Sequence, residues 1–127
     1  MRREDELRLL DMYLAARKVA RFVGGLSKEK FLANEEKQFA VLHGLEIIGE
    51  AARYVSDDAK QQLDLIPWTE IRGMRNRLAH EYFAVDLEIV WDVLTDHLIT
   101  LMQVLEQYVP QPPDESDDLG GPSPTLI

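Results

Sequence analysis

Apolar residues recur along residues 4–23 at Leu7, Leu10, Leu14, Val19 and Phe22, with Ala15 and Ala20 between them. That spacing puts one apolar stripe on a helix. Gly24-Gly25 predicts its stop, because glycine accepts the φ > 0 backbone that often ends a helix. Ser27 is placed to cap a short helix over 28–32. A second long helix is predicted from about 35 to 54, with Phe39, Leu42, Leu45, Ile48 and Ala52 inward. Gly44 and Gly49 fall inside it, each costing about 1 kcal/mol relative to alanine. Close approach of a neighbouring helix is the expected compensation. Ser56 is a candidate cap for residues 57–63, where Asp57 and Asp58 suit the positive end of the helix dipole. Pro67-Trp68-Thr69-Glu70 reads as the entry to the next helix. A last helix is expected from about Asp86 to Tyr108, with Ile89, Val90, Val93, Leu94, Leu98, Leu101, Val104 and Leu105 forming a broad apolar face.

No segment sustains the alternation of a strand, so the pattern predicts an all-α fold, an antiparallel bundle of about four to six helices. The pattern stops at Val109. Pro110, Pro112, Pro113, an acidic cluster, Gly120-Gly121, Pro122 and Pro124 follow. Residues 1–109 are therefore expected to form the helical domain, and 110–127 an acidic, flexible Pro/Gly-rich tail that cannot bury enough surface to fold alone. No internal repeat is visible.

Composition narrows the classes. A chain of 127 residues suits one domain with its own core. It holds no cysteine, which removes structural disulfides and Cys-based zinc sites and agrees with a cytoplasmic setting. The charged start, Met1-Arg2-Arg3-Glu4-Asp5-Glu6, predicts no signal segment, and no apolar run approaches the ~18 residues of a membrane span. The formal charge is −9. The tail carries four carboxylates and no Lys or Arg, so −5 remains on residues 1–109. That balance makes the chain a poor general binder of nucleic acid, since Lys and Arg supply most non-specific affinity. Any such role must rest on a local basic site.

One local basic site exists. Arg72-Gly73-Met74-Arg75-Asn76-Arg77-Leu78-Ala79-His80-Glu81-Tyr82 gathers three arginines, an amide, a histidine and a tyrosine. Arginine holds phosphate through a planar fork of donors, and histidine moves protons near neutral pH. At ~100° per residue, Ile71, Met74 and Leu78 form the core stripe of this helix and Arg75 lies at its edge. Arg72, Asn76 and His80 follow at i, i+4 spacing on the outward face. Tyr82 falls beside the core stripe, nearly opposite His80. The two share a site only if the helix loosens near residue 80 or if the site spans two chains. Each residue also has a structural role open to it. Arginines pair with carboxylates, a histidine complements a helix C-terminus, and a tyrosine packs its ring while wetting its hydroxyl.

The spacing Arg75-x4-His80-x-Tyr82 resembles the Arg-x4–6-His motif of HEPN domains, in the His-x-Tyr form of the HepT-like toxin family. Asn76 fits the polar position after the arginine. Gly44-Leu45-Glu46-Ile47-Ile48-Gly49-Glu50-Ala51, Pro67-Trp68 and Val90-Trp91 stand in a similar order and rough spacing, so the resemblance covers about residues 5–108. It implies a HEPN-like helical bundle that forms a homodimer and acts as a ribonuclease toxin on RNA. It implies Arg75 and His80 as catalytic, Asn76 as supporting, and Tyr82 as the residue modified with AMP by a partner nucleotidyltransferase resembling MntA. Arg72 joins the phosphate-binding set because it shares a face with Asn76 and His80. No metal or cofactor is expected. The rival reading is a non-catalytic helical module that binds a nucleotide or the nucleotidyltransferase. A purely structural dimer is a third.

Other constellations are weaker. His43, Glu46 and Glu50 share a helix, but no second Glu-x-x-His exists to complete a metal set, so polar surface or a dimer-seam lining is expected. His97 is expected at the boundary of the core, and Trp68 and Trp91 as core or interface anchors. Arg2, Arg3, Arg8, Arg17, Lys18 and Arg21 make the first helix locally basic, most simply as salt-bridged surface.

Overall fold

The computed structural model describes residues 1–109, and within them the chain is a bundle of seven α-helices and one 3-10 turn. They are α1 (Arg3–Val23), α2 (Lys28–Leu32), α3 (Glu35–Arg53), α4 (Asp57–Gln62) and α5 (Trp68–His80), then the turn Tyr82–Ala84, α6 (Leu87–Asp96) and α7 (Leu98–Glu106). The tail expected over 110–127 lies outside the described residues. No described helix is long and apolar enough to cross a membrane.

Four of the seven helix starts follow from side chains that satisfy free N–H groups of the first turn. Ser27 Oγ accepts from Lys30 N, Ser56 Oγ from Ala59 N, and Asp86 Oδ1 from Glu88 N and Ile89 N. Asn34 caps α3 by accepting from Lys37 N. Gly24-Gly25 ends α1, with Gly25 at φ 79° in the left-handed region.

Helices α1 and α3 form the principal pair, with α5 packed on α3 and α7 on α1. Leu9, Met12, Val19, Phe31, Val41, Val90 and Leu105 are fully buried between them. The two glycines of α3 are where the neighbours come closest. A Cβ on Gly44 would collide with the Val19 side chain of α1. One on Gly49 would lie 2.5 Å from the Cβ of Arg75 on α5. The packed crossings anticipated at both positions are present, and the second holds the helix that carries the arginines.

Two expectations are corrected. The last helix is not continuous over 86–108 but divides at His97, where φ −125° and ψ −25° leave the helical range. The Thr95 hydroxyl donates to the Trp91 carbonyl at 3.1 Å and to Asp92 at 3.3 Å, a back-bond that bends helices. Phe39 is not inward; it is 46% exposed. On α3 it falls in a heptad line with Glu46 and with His43 and Glu50 alongside, and that line faces α5 and the 3-10 turn rather than the core.

Candidate functional site

Leu78, 2% exposed, anchors α5 in the core, with Ile71 and Met74 half-buried beside it. Those two line a small apolar cavity of about 110 Å³ together with Leu45, Ile48 and Leu101. This seating fixes the rotation of α5. Arg72, Asn76 and His80 are exposed on its outer face, and Arg75 is half-buried at the edge.

Arg75 is the most closely held of these side chains. Its Nε donates to Glu50 Oε2 at 3.2 Å, and its Nη2 lies 3.1 Å from the same oxygen. Its Nη1 donates to Asn76 Oδ1 at 3.3 Å. Glu50 takes the Nε–Nη2 side of the guanidinium and Asn76 one of the two Nη1 hydrogens, which leaves one N–H on each of Nη1 and Nη2 without an acceptor among the described residues. A guanidinium with two N–H groups to spare can donate to two oxygens of a phosphate. The α3 glycine at position 49 lets α5 approach closely enough for this arrangement.

Glu50 is thus a candidate residue of the site, at a position expected to be polar surface or the lining of a dimer seam. It also pairs with Arg53, Oε1 to Nη1 at 3.7 Å. A carboxylate 25 residues from its arginine leaves no local trace. The available signal was the stripe Phe39, His43, Glu46, Glu50 at heptad-like spacing on a helix that also carries two glycines.

Helix α5 ends at His80. Glu81 turns away with φ −135° and ψ 39°, its N–H still donating to the Arg77 carbonyl at 2.7 Å. The 3-10 turn that follows carries Tyr82 out of the regular helix, so the loosened end that a shared site required is present. The Tyr82 ring lies 5.7 Å from Phe39 and 5.2 Å, edge to face, from Phe83. Burial raises the pKa of its hydroxyl, and the nearby Glu46 carboxylate raises it further, so the phenol keeps its proton at neutral pH. His80 makes no hydrogen bond or ion pair with the described residues and is exposed at the end of α5. The structure therefore brings Arg75 and Asn76 together, and it places Tyr82 against the Phe39–Glu46 face of α3.

Arg72, Arg75 and Asn76 open onto a groove of about 470 Å³ whose other walls include Arg53, Lys60 and Trp68. Trp68 is fixed there by donating from Nε1 to the Leu63 carbonyl at 2.9 Å. Trp91 instead packs on Phe31 with ring centroids 5.4 Å apart.

The family model described as Ribonuclease HepT-like matches residues 12–108. The chain belongs to the HepT-like ribonuclease family. It is 35% identical over 107 residues to a protein of Thermococcus cleftensis named "Probable ribonuclease HepT", covering 84% of this chain and 97% of the relative. It is 31% identical over 105 residues to "Putative RNase MJ1380" of Methanocaldococcus jannaschii, covering 83% and 96% of the two chains. No solved structure matches. The HepT-like region spans α1 to α7, so the family assignment rests on the whole bundle rather than on the arginine–histidine run alone.

Proposed function

We propose that this chain is an endoribonuclease of the HEPN type, the toxin of a two-component pair, working in the cytoplasm as a homodimer. The observation that carries the reading is the guanidinium of Arg75, fixed by Glu50 and Asn76 with one N–H to spare on each terminal nitrogen, on the helix that ends in an exposed His80. Family membership gives that geometry its substrate class.

The chemistry needs three things. The RNA 2′-hydroxyl must lose its proton, the developing phosphorane charge must be held, and the departing 5′-oxygen must gain a proton. Arg75 holds two phosphate oxygens, and that hold strengthens as charge builds. Arg72 and Asn76 add donors on the same face. Histidine serves as base or acid near neutral pH, but one imidazole cannot do both in one step. Two copies of His80, one from each protomer, divide the work. One takes the 2′-proton while the 2′-oxygen bonds to phosphorus. The other gives its proton to the 5′-oxygen as the P–O5′ bond breaks. The products are a 2′,3′-cyclic phosphate and a 5′-hydroxyl.

Tyr82 is the off-switch in this reading. A partner nucleotidyltransferase of the MntA kind would transfer AMP to its hydroxyl, placing a phosphate and a base beside Arg75 and closing the site to RNA. Phe83, 92% exposed next to Tyr82, with the half-exposed Phe39, forms an aromatic patch that a second protomer would cover.

Purified protein freed of its partner is expected to cleave RNA in EDTA, and His80→Ala to abolish cleavage; equal activity in the variant would sink the assignment. Mass spectrometry after incubation with the nucleotidyltransferase and ATP should place added AMP on the Tyr82 peptide. The rival non-catalytic module draws its support from the −9 charge. Nucleotide-binding calorimetry beside the cleavage assay separates the two.

A further inference from the structure

We propose that the groove bounded by the end of α3, by α4 and by the first half of α5 is a phosphate track. It would grip a single-stranded RNA beside the bond being cut. The identity of the ligand rests on the ribonuclease reading; the track itself rests on the groove. Its walls carry four cations, Arg53, Lys60, Arg72 and Arg75, and one carboxylate, Asp57. In a chain of net charge −9 this is a local reversal of sign, and it comes from three separate helices, so no run of sequence displays it.

Two of the four cations, Arg72 and Lys60, are not committed to a carboxylate among the described residues. Arg72 is exposed and has no acceptor among the described residues. The Lys60 ammonium is not spent on a carboxylate; it stands 5.6 Å from the centroid of the Trp68 ring, which is itself locked onto Leu63. Arg53 shares Glu50 with Arg75 at the long distance of 3.7 Å. Gly49 and Ala52 complete the lining between these side chains, with Arg75 packed directly on Gly49. Arg75 and Asn76, the pair that would hold the scissile phosphate, belong to the same lining. A strand seated there has its neighbouring phosphates carried toward Arg72, Arg53 and Lys60. Cationic grooves that follow the backbone are how proteins hold single strands without reading sequence. The concave form suits an extended strand better than the face of a folded acidic partner.

The test uses the full chain and a labelled ten-nucleotide RNA. Binding is read by fluorescence anisotropy in a His80→Ala background, and cleavage kinetics in the otherwise native protein. The variants are Lys60→Glu and Arg53→Gln, the latter chosen because a new carboxylate beside Glu50 would disturb Arg75. Lys28→Glu/Lys30→Gln, on α2, is the charge-matched control for the double variant, and Lys60→Arg the conservative rescue. The double variant should bind about tenfold more weakly, and its salt slope should fall by about 0.7 for each phosphate that is no longer neutralised. KM should rise with little change in kcat, and the penalty should be larger for the ten-nucleotide RNA than for a dinucleotide. Unchanged affinity and slope in a variant whose thermal melt shows it folded would overturn the track while leaving the ribonuclease reading intact. Unchanged RNA affinity with weakened nucleotidyltransferase binding would overturn it in favour of protein docking. Wild-type protein that binds the RNA through Lys60 and Arg53 but never cuts it would remove the nuclease reading and keep the track.

Discussion

Arg75 owes its position to two residues of another helix. Gly49 admits its Cβ and Glu50 holds its guanidinium. Gly49→Ala should therefore act on the site as well as on stability. The new methyl would meet the base of the Arg75 side chain rather than a flexible tip, and overpacking of this kind costs about 1–3 kcal/mol, against which alanine's better helix propensity returns about 1. Gly44→Ala, which meets Val19 instead, should lower the melting temperature comparably while leaving kcat of the folded fraction near wild type. Equal kcat losses in both would show that Gly49 has no special link to Arg75. Glu50→Gln keeps an acceptor and loses the charge, so it should cut kcat/KM by about tenfold, roughly 1.4 kcal/mol of transition-state binding. Glu50→Ala should cut it further, and Glu50→Ala protein that cleaves RNA at the wild-type rate would remove Glu50 from the site. Arg75, Asn76, His80 and Tyr82 could be picked out from the sequence because they lie within eight residues of one another on or just past one helix. Glu50, Arg53 and Lys60 could not, because only the docking of α3 and α4 against α5 brings them there.

At the scale of elements, helix starts were readable because Ser27, Ser56 and Asp86 are local signals whose partners lie two or three residues on. The division at His97 was not, since the apolar face runs through it unbroken and the bend depends on which way the Thr95 hydroxyl turns. Phe39 misled for a related reason: apolar spacing cannot separate a core position from an aromatic cluster at a site rim. Ser56 does more than cap α4. Its Oγ and N–H both donate to the buried carboxylate of Asp5, at 2.7 and 2.8 Å, tying α1 to the α3–α4 junction. Burial alone would raise the Asp5 pKa, but the two Ser56 hydrogen bonds and the charge of Arg2 outweigh it and hold the carboxyl below its ordinary value. A depressed carboxylate stabilises the fold above its unfolded pKa, and that contribution is lost as pH falls through the folded value. Ser56→Ala should thus cost about 2 kcal/mol at neutral pH, from the cap and one charge-assisted bond. The difference from wild type in denaturant melts should shrink toward pH 2. A pH-independent difference would show that the cap alone carries the effect.

Across the whole molecule the candidates follow one another along α5 and the turn after it: Arg75 and Asn76 at the groove, His80 at the helix end, and Tyr82 and Phe83 beyond it. Within one protomer His80 has no partner among the described residues to accept or return a second proton. The aromatic patch of Phe39 and Phe83 is exposed around Tyr82, two residues further along the chain. If the patch is a dimer seam, each cleavage site contains two copies of His80. Mixing then gives a sharp expectation. Wild-type protein is denatured and refolded with increasing His80→Ala protein at constant total concentration, so that subunits pair at random. A site that needs both histidines makes activity fall as the square of the wild-type fraction, whereas independent sites make it fall in direct proportion. Phe83→Asp should shift the species seen by analytical ultracentrifugation from dimer to monomer and remove cleavage with it. A proportional fall in the mixing series, or a Phe83→Asp monomer that still cuts RNA, would place the complete reaction within a single chain and require another group to supply the second proton transfer.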